Sequence, residues 1–271
     1  MDCRSFVGYH AIQSDKLYKQ LVVAFAGMKL AVIIPCLNEE KTIADVVSRV
    51  KKPAGIDELS ILVVDDGSTD RTAKYAAKAG ANVVSHHVNK GVGAAFKTGI
   101  DWALDHKADV IVNMDGDGQF DPSHIPKLLQ PILERKAEFV TCTRFRRGKR
   151  YIGMPWIKQV GNGIFTSLIN RLTHKEFTDT QCGFRAYARE AALRMTTYGQ
   201  FTYTQEVFLD LAHKGFRMAE VYIPVRAQRE HGKSKVVKGV VPYTVSALKI
   251  IMRSFRDYRP LTFFEIGRAH V

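Results

Sequence analysis

One α/β domain of the larger kind, built on a mostly parallel sheet with flanking helices, is the fold class this 271-residue sequence predicts. Two observations carry that prediction. Short apolar runs without a polar break, as expected of strands buried on both faces, alternate with helical patterns across short loops. The polar motifs "CLNE", "DDGS", "DGDGQ" and "TRF" each follow such a run. That places all four outside the carboxyl ends of the strands, where sheets of this kind bind ligands.

"LAVIIP" (30–35) is the first strand, and Ile43, Val46, Val47 and Val50 give the first helical pattern. "LSILVVDD" (59–66) is the second strand. "GSTDRTAKYAAKAG" supplies a turn and a helix, capped by Asp70 or Ser68 at its start and by Gly80 at its end. "ANVVSH" and "VGAAFKTGIDWALDH" are the third strand and helix, and "DVIVNM" (109–114) is the fourth strand. "SHIPKLLQPILER" and "EFVTCTRF" continue the alternation, which weakens after about residue 150. Apolar residues from Trp156 to Leu172 then fall on one helical stripe, and "GFRAYAR" and "FRMAEVYIPV" read as strands around the helix "QEVFLDLAHKG".

The hydrophobic content of 46% and charged content of 25% are ordinary, but a net charge of +13 asks for an anionic partner. Nucleic acid, acidic lipid and phosphorylated small molecules all qualify. Cys3, Cys36, Cys142 and Cys182 are scattered without a C-x-x-C pair, which argues against a disulfide framework or zinc site and suits a reducing compartment. Between Arg226 and Arg259 stand nine Lys/Arg and two Asp/Glu, a net +7 in an otherwise apolar segment. Its longest charge-free run, Gly239 to Leu248, is too short to span a bilayer. The segment 236–264 is therefore expected to lie on an anionic membrane surface, the alternative being a helix with one packed and one solvated face. Nucleic-acid binding would instead interleave basic and aromatic residues on one face and keep acidic pairs out of the cleft, so no nucleic-acid partner is expected.

"NMDGDGQFDP" (113–122) gathers acids in a basic chain. An EF-hand loop would need Gly and an acid where Phe120 and Pro126 stand. A solvated turn remains possible for D-x-D by itself. A strand-end pair of carboxylates also suits Mg2+ or Mn2+, which take their remaining ligands from phosphates and water. Gln119 could add a neutral oxygen. "NKGVGAAFKTG" fails both phosphate-loop patterns because Phe96 occupies the required glycine position. Close helix packing by Gly91, Gly93 and Gly99 accounts for it better.

Taken in order, "VIIPCLNEE", "VVDDGSTDRT", "NKGVGAAFKTG", "NMDGDGQFDP", "TRF", "QCGFRAY" and "REHGKSK" resemble the family 2 glycosyltransferases of the nucleotide-diphospho-sugar (GT-A) fold, over roughly Met28 to Leu261. Within that family the D-x-D-x-Q form and the R-x-x-G-x-S-K stretch resemble dolichol- and polyprenol-phosphate mannosyl- or glucosyltransferases. The resemblance implies that Pro35, Leu37, Glu39, Val64 and Asp66 line the pocket for base and ribose. Leu37 stands where many relatives carry an aromatic. Asp115, Gly116 and Asp117 would meet ribose and diphosphate, with Asp117 and Gln119 the firmest metal ligands and Asp115 beside them. Arg144, Arg229 and Lys235 would face phosphates.

The implied chemistry is inverting transfer of a hexose from GDP-mannose or UDP-glucose to a polyprenyl phosphate, supported by Mg2+ or Mn2+, at the cytoplasmic face of a membrane. Asp117, Arg144, Arg185, Arg229 and Lys235 form the expected catalytic set, because cations stabilise the leaving diphosphate and hold the acceptor phosphate. A hydroxyl acceptor would also need a base, and Glu206 is the residue placed for that role. The domain is expected over 28–235. Residues 1–27 are read as an extension outside it. The closing "EIGRAHV" (265–271) reads as a translated sequencing adapter, so the natural segment is expected to end near Phe264.

Overall fold

In the computed structural model, residues 27–145, 156–196, 203–225, 240–258, 260, 261 and 264 are described, apart from the side chains of 157, 158, 240–247 and 254. The chain alternates β1 (Met28–Cys36), α1 (Ile43–Arg49), β2 (Ile56–Asp65), α2 (Thr72–Lys78), β3 (Asn82–Ser85), α3 (Val92–Asp105) and β4 (Val110–Asn113). A 3-10 turn, Pro122–His124, leads into α4 (Ile125–Leu133) and β5 (Phe139–Thr143). Then come α5 (Trp156–Thr173), β6 (Arg185–Ala188), α6 (Arg189–Arg194), α7 (Thr204–His213), β7 (Met218–Tyr222) and α8 (Val240–Tyr258).

The strands form one seven-stranded sheet in the order β3-β2-β1-β4-β6-β5-β7. β1 pairs in parallel with β2 and β4, β2 with β3, and β5 with β7. β6 is antiparallel to both β4 and β5, the exception within the mostly parallel sheet that the alternation predicts. A parallel crossover must return the chain to the amino-terminal edge of the sheet. Residues 174–184 instead deliver it to the carboxyl edge, where Arg185 pairs with Asn113 and Thr141. The loop before β6 thereby joins the four strand-end motifs.

β1 is apolar from Leu30 to Ile34 because both faces of that stretch are covered. Leu30, Val32 and Ile34 pack with Ile43, Val46 and Val47 of α1 and with Leu128 and Leu129 of α4. Ala31 and Ile33 face Ala95, Phe96 and Ile100 of α3 and Phe208 of α7. Each large side chain so buried contributes about 1.5–3 kcal/mol. Close approach of α3 to β1 requires Gly99: a β-carbon there would stand 3.0 Å from Cδ1 of Ile33. Gly80 follows α2 with a φ of +97°, the left-handed stop expected of it.

The stripe on α5 divides. Phe165 and Ile169 are buried, whereas Trp156, Val160 and Ile164 are 75%, 51% and 64% exposed. α8 packs on α7, where the Tyr258 hydroxyl donates to Asp210 and its ring stacks on His213 at 4.6 Å. Asp210 also takes the Thr196 amide and Lys214. Among the described residues no helix is long and apolar enough to cross a membrane. Cys142 and Cys182, 40 residues apart, are buried free thiols with Sγ atoms 2.6 Å apart. The extension 1–26, the stretch 226–239 with its "REHGKSK" motif, and the tail 265–271 lie outside the described residues.

Candidate active site

The loops after β1 and β2 are tied together by polar groups that read as ordinary turn residues in sequence. Asn38, at φ +53°, receives Thr69 N–H on its side-chain oxygen at 2.8 Å and donates its own N–H to the Ser68 hydroxyl at 2.8 Å. Glu39 N–H donates to Thr72 Oγ1, Glu40 N–H to Asp70, and Arg71 N–H returns to Glu40. Asp70 also accepts Thr72 N–H at 2.9 Å, so it is Asp70 that meets the start of α2, while Ser68 serves the neighbouring loop. Pro35, Leu37 and Glu39 sit half-buried along this edge.

Asp66 is buried and already well used. It accepts the backbone N–H groups of Lys90 and Gly91 at 2.9 and 2.8 Å, and Nδ1 of His86 lies 2.7 Å away. The other ring nitrogen, Nε2, lies 3.0 Å from the Thr98 hydroxyl. Asp66 thus braces the turn before α3 as well as facing the edge. Val64 is a correction: its side chain is wholly buried in the apolar layer with Ala95 and Phe96, so it supports the pocket from beneath and does not line it.

The acids converge at the end of β4. Burial pushes the Cys36 thiol well above its ordinary pKa, and the negative charges of Glu39, Asp65, Asp115 and Asp117 raise it further. Gly116 is packed so tightly there that a β-carbon would stand 2.4 Å from Cys36 Sγ. Its carbonyl accepts from the buried Thr42 hydroxyl at 2.7 Å. Asp117 is 2% exposed and takes Gln119 N–H on Oδ1 at 3.0 Å. Asp115 rests against Gly183, where a β-carbon would stand 2.9 Å from Oδ1. Beside it Asn113 donates through Nδ2 to Gly183 O at 2.8 Å and to the Tyr203 hydroxyl at 2.7 Å. Burial and then Asp115 raise the Tyr203 pKa, and its ring stacks on Phe96 at 3.9 Å. Among the described residues no cluster of three or more His, Cys, Asp or Glu side chains is arranged to cage a metal by itself. Two carboxylates and the Gln119 amide fit a hard cation that completes its shell from phosphate and water.

The expected cations part company. Arg144, directly after β5, is paired side-on with the wholly buried Asp179: Nε to Oδ2 at 2.7 Å and Nη2 to Oδ1 at 3.1 Å. Burial works against its charge, but Asp179 outweighs that and holds the guanidinium pKa above its ordinary value. Arg185 is a correction. It is 0% exposed, and its guanidinium donates to the carbonyls of Cys182, Thr204 and Thr180 at 2.8, 3.0 and 3.0 Å. The rings of Phe208, Tyr203 and Phe139 enclose it at 4.8, 5.7 and 5.8 Å. A phosphate could reach it only through the core, so Arg185 ties the loop before β6 to the start of α7. Arg229 and Lys235 lie outside the described residues.

A family model described as glycosyl transferase family 2 matches residues 31–195, more than half of the chain and all four strand-end motifs. The chain belongs to that family. As a family 2 glycosyltransferase it is 35% identical over 183 residues to a UDP-N-acetylglucosamine--dolichyl-phosphate N-acetylglucosaminyltransferase of Methanococcus voltae, covering 61% of this chain and 72% of the relative. It is 29% identical over 226 residues to an undecaprenyl-phosphate mannosyltransferase of Micrococcus luteus, covering 79% and 90%. Among solved structures it resembles glucosyl-3-phosphoglycerate synthase from Mycobacterium tuberculosis in complex with Mn2+, uridine diphosphate and phosphoglyceric acid. That match has a TM-score of 0.65 at 22% identity and covers 89% of this chain and 82% of the other, a likeness of GT-A fold.

Sequence reasoning about this transferase missed Asp179, Glu220, Asn113, Tyr203 and Gly183. The "TDTQCG" run held the one available signal, an acid two residues before a "QCG" that leads into a strand. Glu206, the alternative base, is 4% exposed in the first turn of α7.

Proposed function

We propose that the protein transfers a hexose, mannose or glucose, from a nucleoside-diphospho-sugar to a polyprenyl phosphate with inversion at the anomeric carbon. The observation that carries this reading is the division of charge along one strand edge. Carboxylates gather at the ends of β1, β2 and β4, and Arg144 stands after β5, two strand spacings or about 10 Å from β4. The acceptors named for the relatives from Methanococcus voltae and Micrococcus luteus, both polyprenyl phosphates, support it.

Asp115, Asp117 and Gln119 would hold Mg2+ or Mn2+, which when bound neutralises charge on the departing diphosphate. The loops at Pro35, Leu37, Glu39 and Asp66 receive base and ribose. A phosphate oxygen of the acceptor attacks the anomeric carbon as the bond to the nucleoside diphosphate breaks. A phosphate monoester is already ionised near neutral pH, so no base has to remove a proton; the requirement is positioning and charge neutralisation. Arg144, together with Arg229 and Lys235, supplies that. Residues 28–235 form the catalytic domain. The segment 236–264 lies on the cytoplasmic face of a membrane, with the exposed Leu248 and Met252 of α8 toward lipid and Lys249, Arg253 and Arg256 among anionic headgroups.

A donor screen tests the reading: GDP-mannose, UDP-glucose and UDP-N-acetylglucosamine, with Mg2+, Mn2+ or chelator, and a polyprenyl phosphate in detergent. Transfer from at least one donor that is lost on chelation is the expected result. A folded protein that transfers from none of them would sink the assignment.

A further inference from the structure

Three charged residues far apart in sequence meet beside the carboxyl edge of the sheet. Glu220, on β7, accepts Thr178 N–H at 2.9 Å and Asp179 N–H at 3.0 Å through Oε1. Its Oε2 accepts the Thr178 hydroxyl at 2.7 Å and shares the Thr178 N–H at 3.1 Å. Asp179, fixed by that clamp, accepts Gln181 N–H at 3.1 Å and grips Arg144 through both oxygens. Thr143 and Thr178 hydroxyls, 2.6 Å apart, tie the end of β5 to the same loop.

A buried ion pair adds little net stability, because desolvation of both charges offsets their attraction. What this arrangement does supply is direction. The pairing uses the Nε–Nη2 edge of the guanidinium, so Nη1 lies on the opposite side, and the Arg144 side chain keeps 19% of its surface accessible. Arginine binds phosphate best as a rigid fork, and a fork held on one edge loses little freedom when the other edge binds.

We propose that Glu220 and Asp179 are positioning residues for Arg144. Glu220 clamps the Thr178–Asp179 backbone, Asp179 holds one edge of the guanidinium, and the remaining edge is presented to a phosphate oxygen. This rests on the proposed reaction, which brings two phosphate groups to the edge: the diphosphate of the donor and the phosphate monoester of the acceptor. Neither carboxylate touches substrate.

The test is a double-mutant cycle read by binding, which needs no turnover. The full chain, Arg144→Lys, Glu220→Gln and the double variant are titrated with two probes, UDP or GDP with Mn2+ and a short-chain prenyl phosphate. Glu220→Gln is expected to weaken one probe about tenfold, Arg144→Lys the same probe, and the double variant no more than Arg144→Lys alone. The probe affected shows which phosphate Arg144 holds. Losses that multiply in the double variant overturn the relay. So does a Glu220→Gln that lowers the melting temperature while both affinities stay put, and so does a wild-type chain that binds neither probe. If Glu220→Gln does not fold, Thr178→Val, which removes one hydroxyl of the clamp, takes its place. A wild-type chain that binds a probe but transfers no sugar refutes the proposed reaction and leaves the relay standing.

Discussion

The carboxylate of Asp115 is seated against Gly183, whose missing side chain leaves room for it: a β-carbon there would stand 2.9 and 3.0 Å from the two oxygens. Residue 183 therefore sets the position of an acid 68 places earlier. Gly183→Ala should displace Asp115 and lower Mn2+-supported affinity for UDP or GDP about tenfold, some 1.4 kcal/mol. Titration calorimetry with and without chelator reads this; an unchanged affinity would show that Asp115 needs no such seat.

Arg185 makes the opposite kind of prediction. Arg185→Lys keeps the charge but cannot serve the carbonyls of Thr180, Cys182 and Thr204 together. Each buried carbonyl left unpaired costs about 1–3 kcal/mol, so a loss of about 2–4 kcal/mol is expected in denaturant unfolding. Phosphate-probe affinity of the folded fraction should hold. A variant of full stability with weakened phosphate binding would return Arg185 to the catalytic set.

Glu206 separates acceptor chemistries. With a phosphate acceptor, Glu206→Gln should keep transfer within about threefold of wild type and leave the pH–rate profile unaltered, since no base is required. Loss of transfer to every acceptor, with a flattened profile, would make Glu206 the base for a hydroxyl acceptor.

Glu220 carries a pH signature. Burial raises its pKa above the ordinary 4.5, against the lowering effect of hydrogen bonds from Thr178 and Asp179. Between 4.5 and that raised value the folded chain holds a proton that the unfolded chain has lost. The Glu220 contribution to stability is therefore fully present below 4.5 and is lost as pH rises through the raised value. Glu220→Gln has no such titration. The melting temperature of wild type relative to the variant should climb as pH falls from neutral toward 4.5. A pH-independent difference would contradict the assignment.

Much of the fold was legible because it is local. "LAVII" of β1, "LVV" of β2 and "VIV" of β4 are buried on both faces, so they read as uninterrupted apolar runs. Gly80 marked a helix stop because only a residue without a β-carbon adopts its backbone geometry at little cost. The acids of "DGDGQ" were visible because a motif at a strand end is contiguous in sequence. The direction of β6 was not legible, since four residues pair equally well either way until the route of the preceding chain is known.

By itself, then, the sequence determined the family, the alternating elements and the strand edge that carries the chemistry, all properties of contiguous residues. Tertiary structure alone decided which arginine keeps some accessible surface and which is core, and that Asp179 and Glu220 stand behind Arg144. It also decided that Gly183 and Tyr203 flank Asp115. Those relations join residues 35 to 88 positions apart. They follow from which distant segments share a desolvated space, and no local periodicity or spacing encodes that.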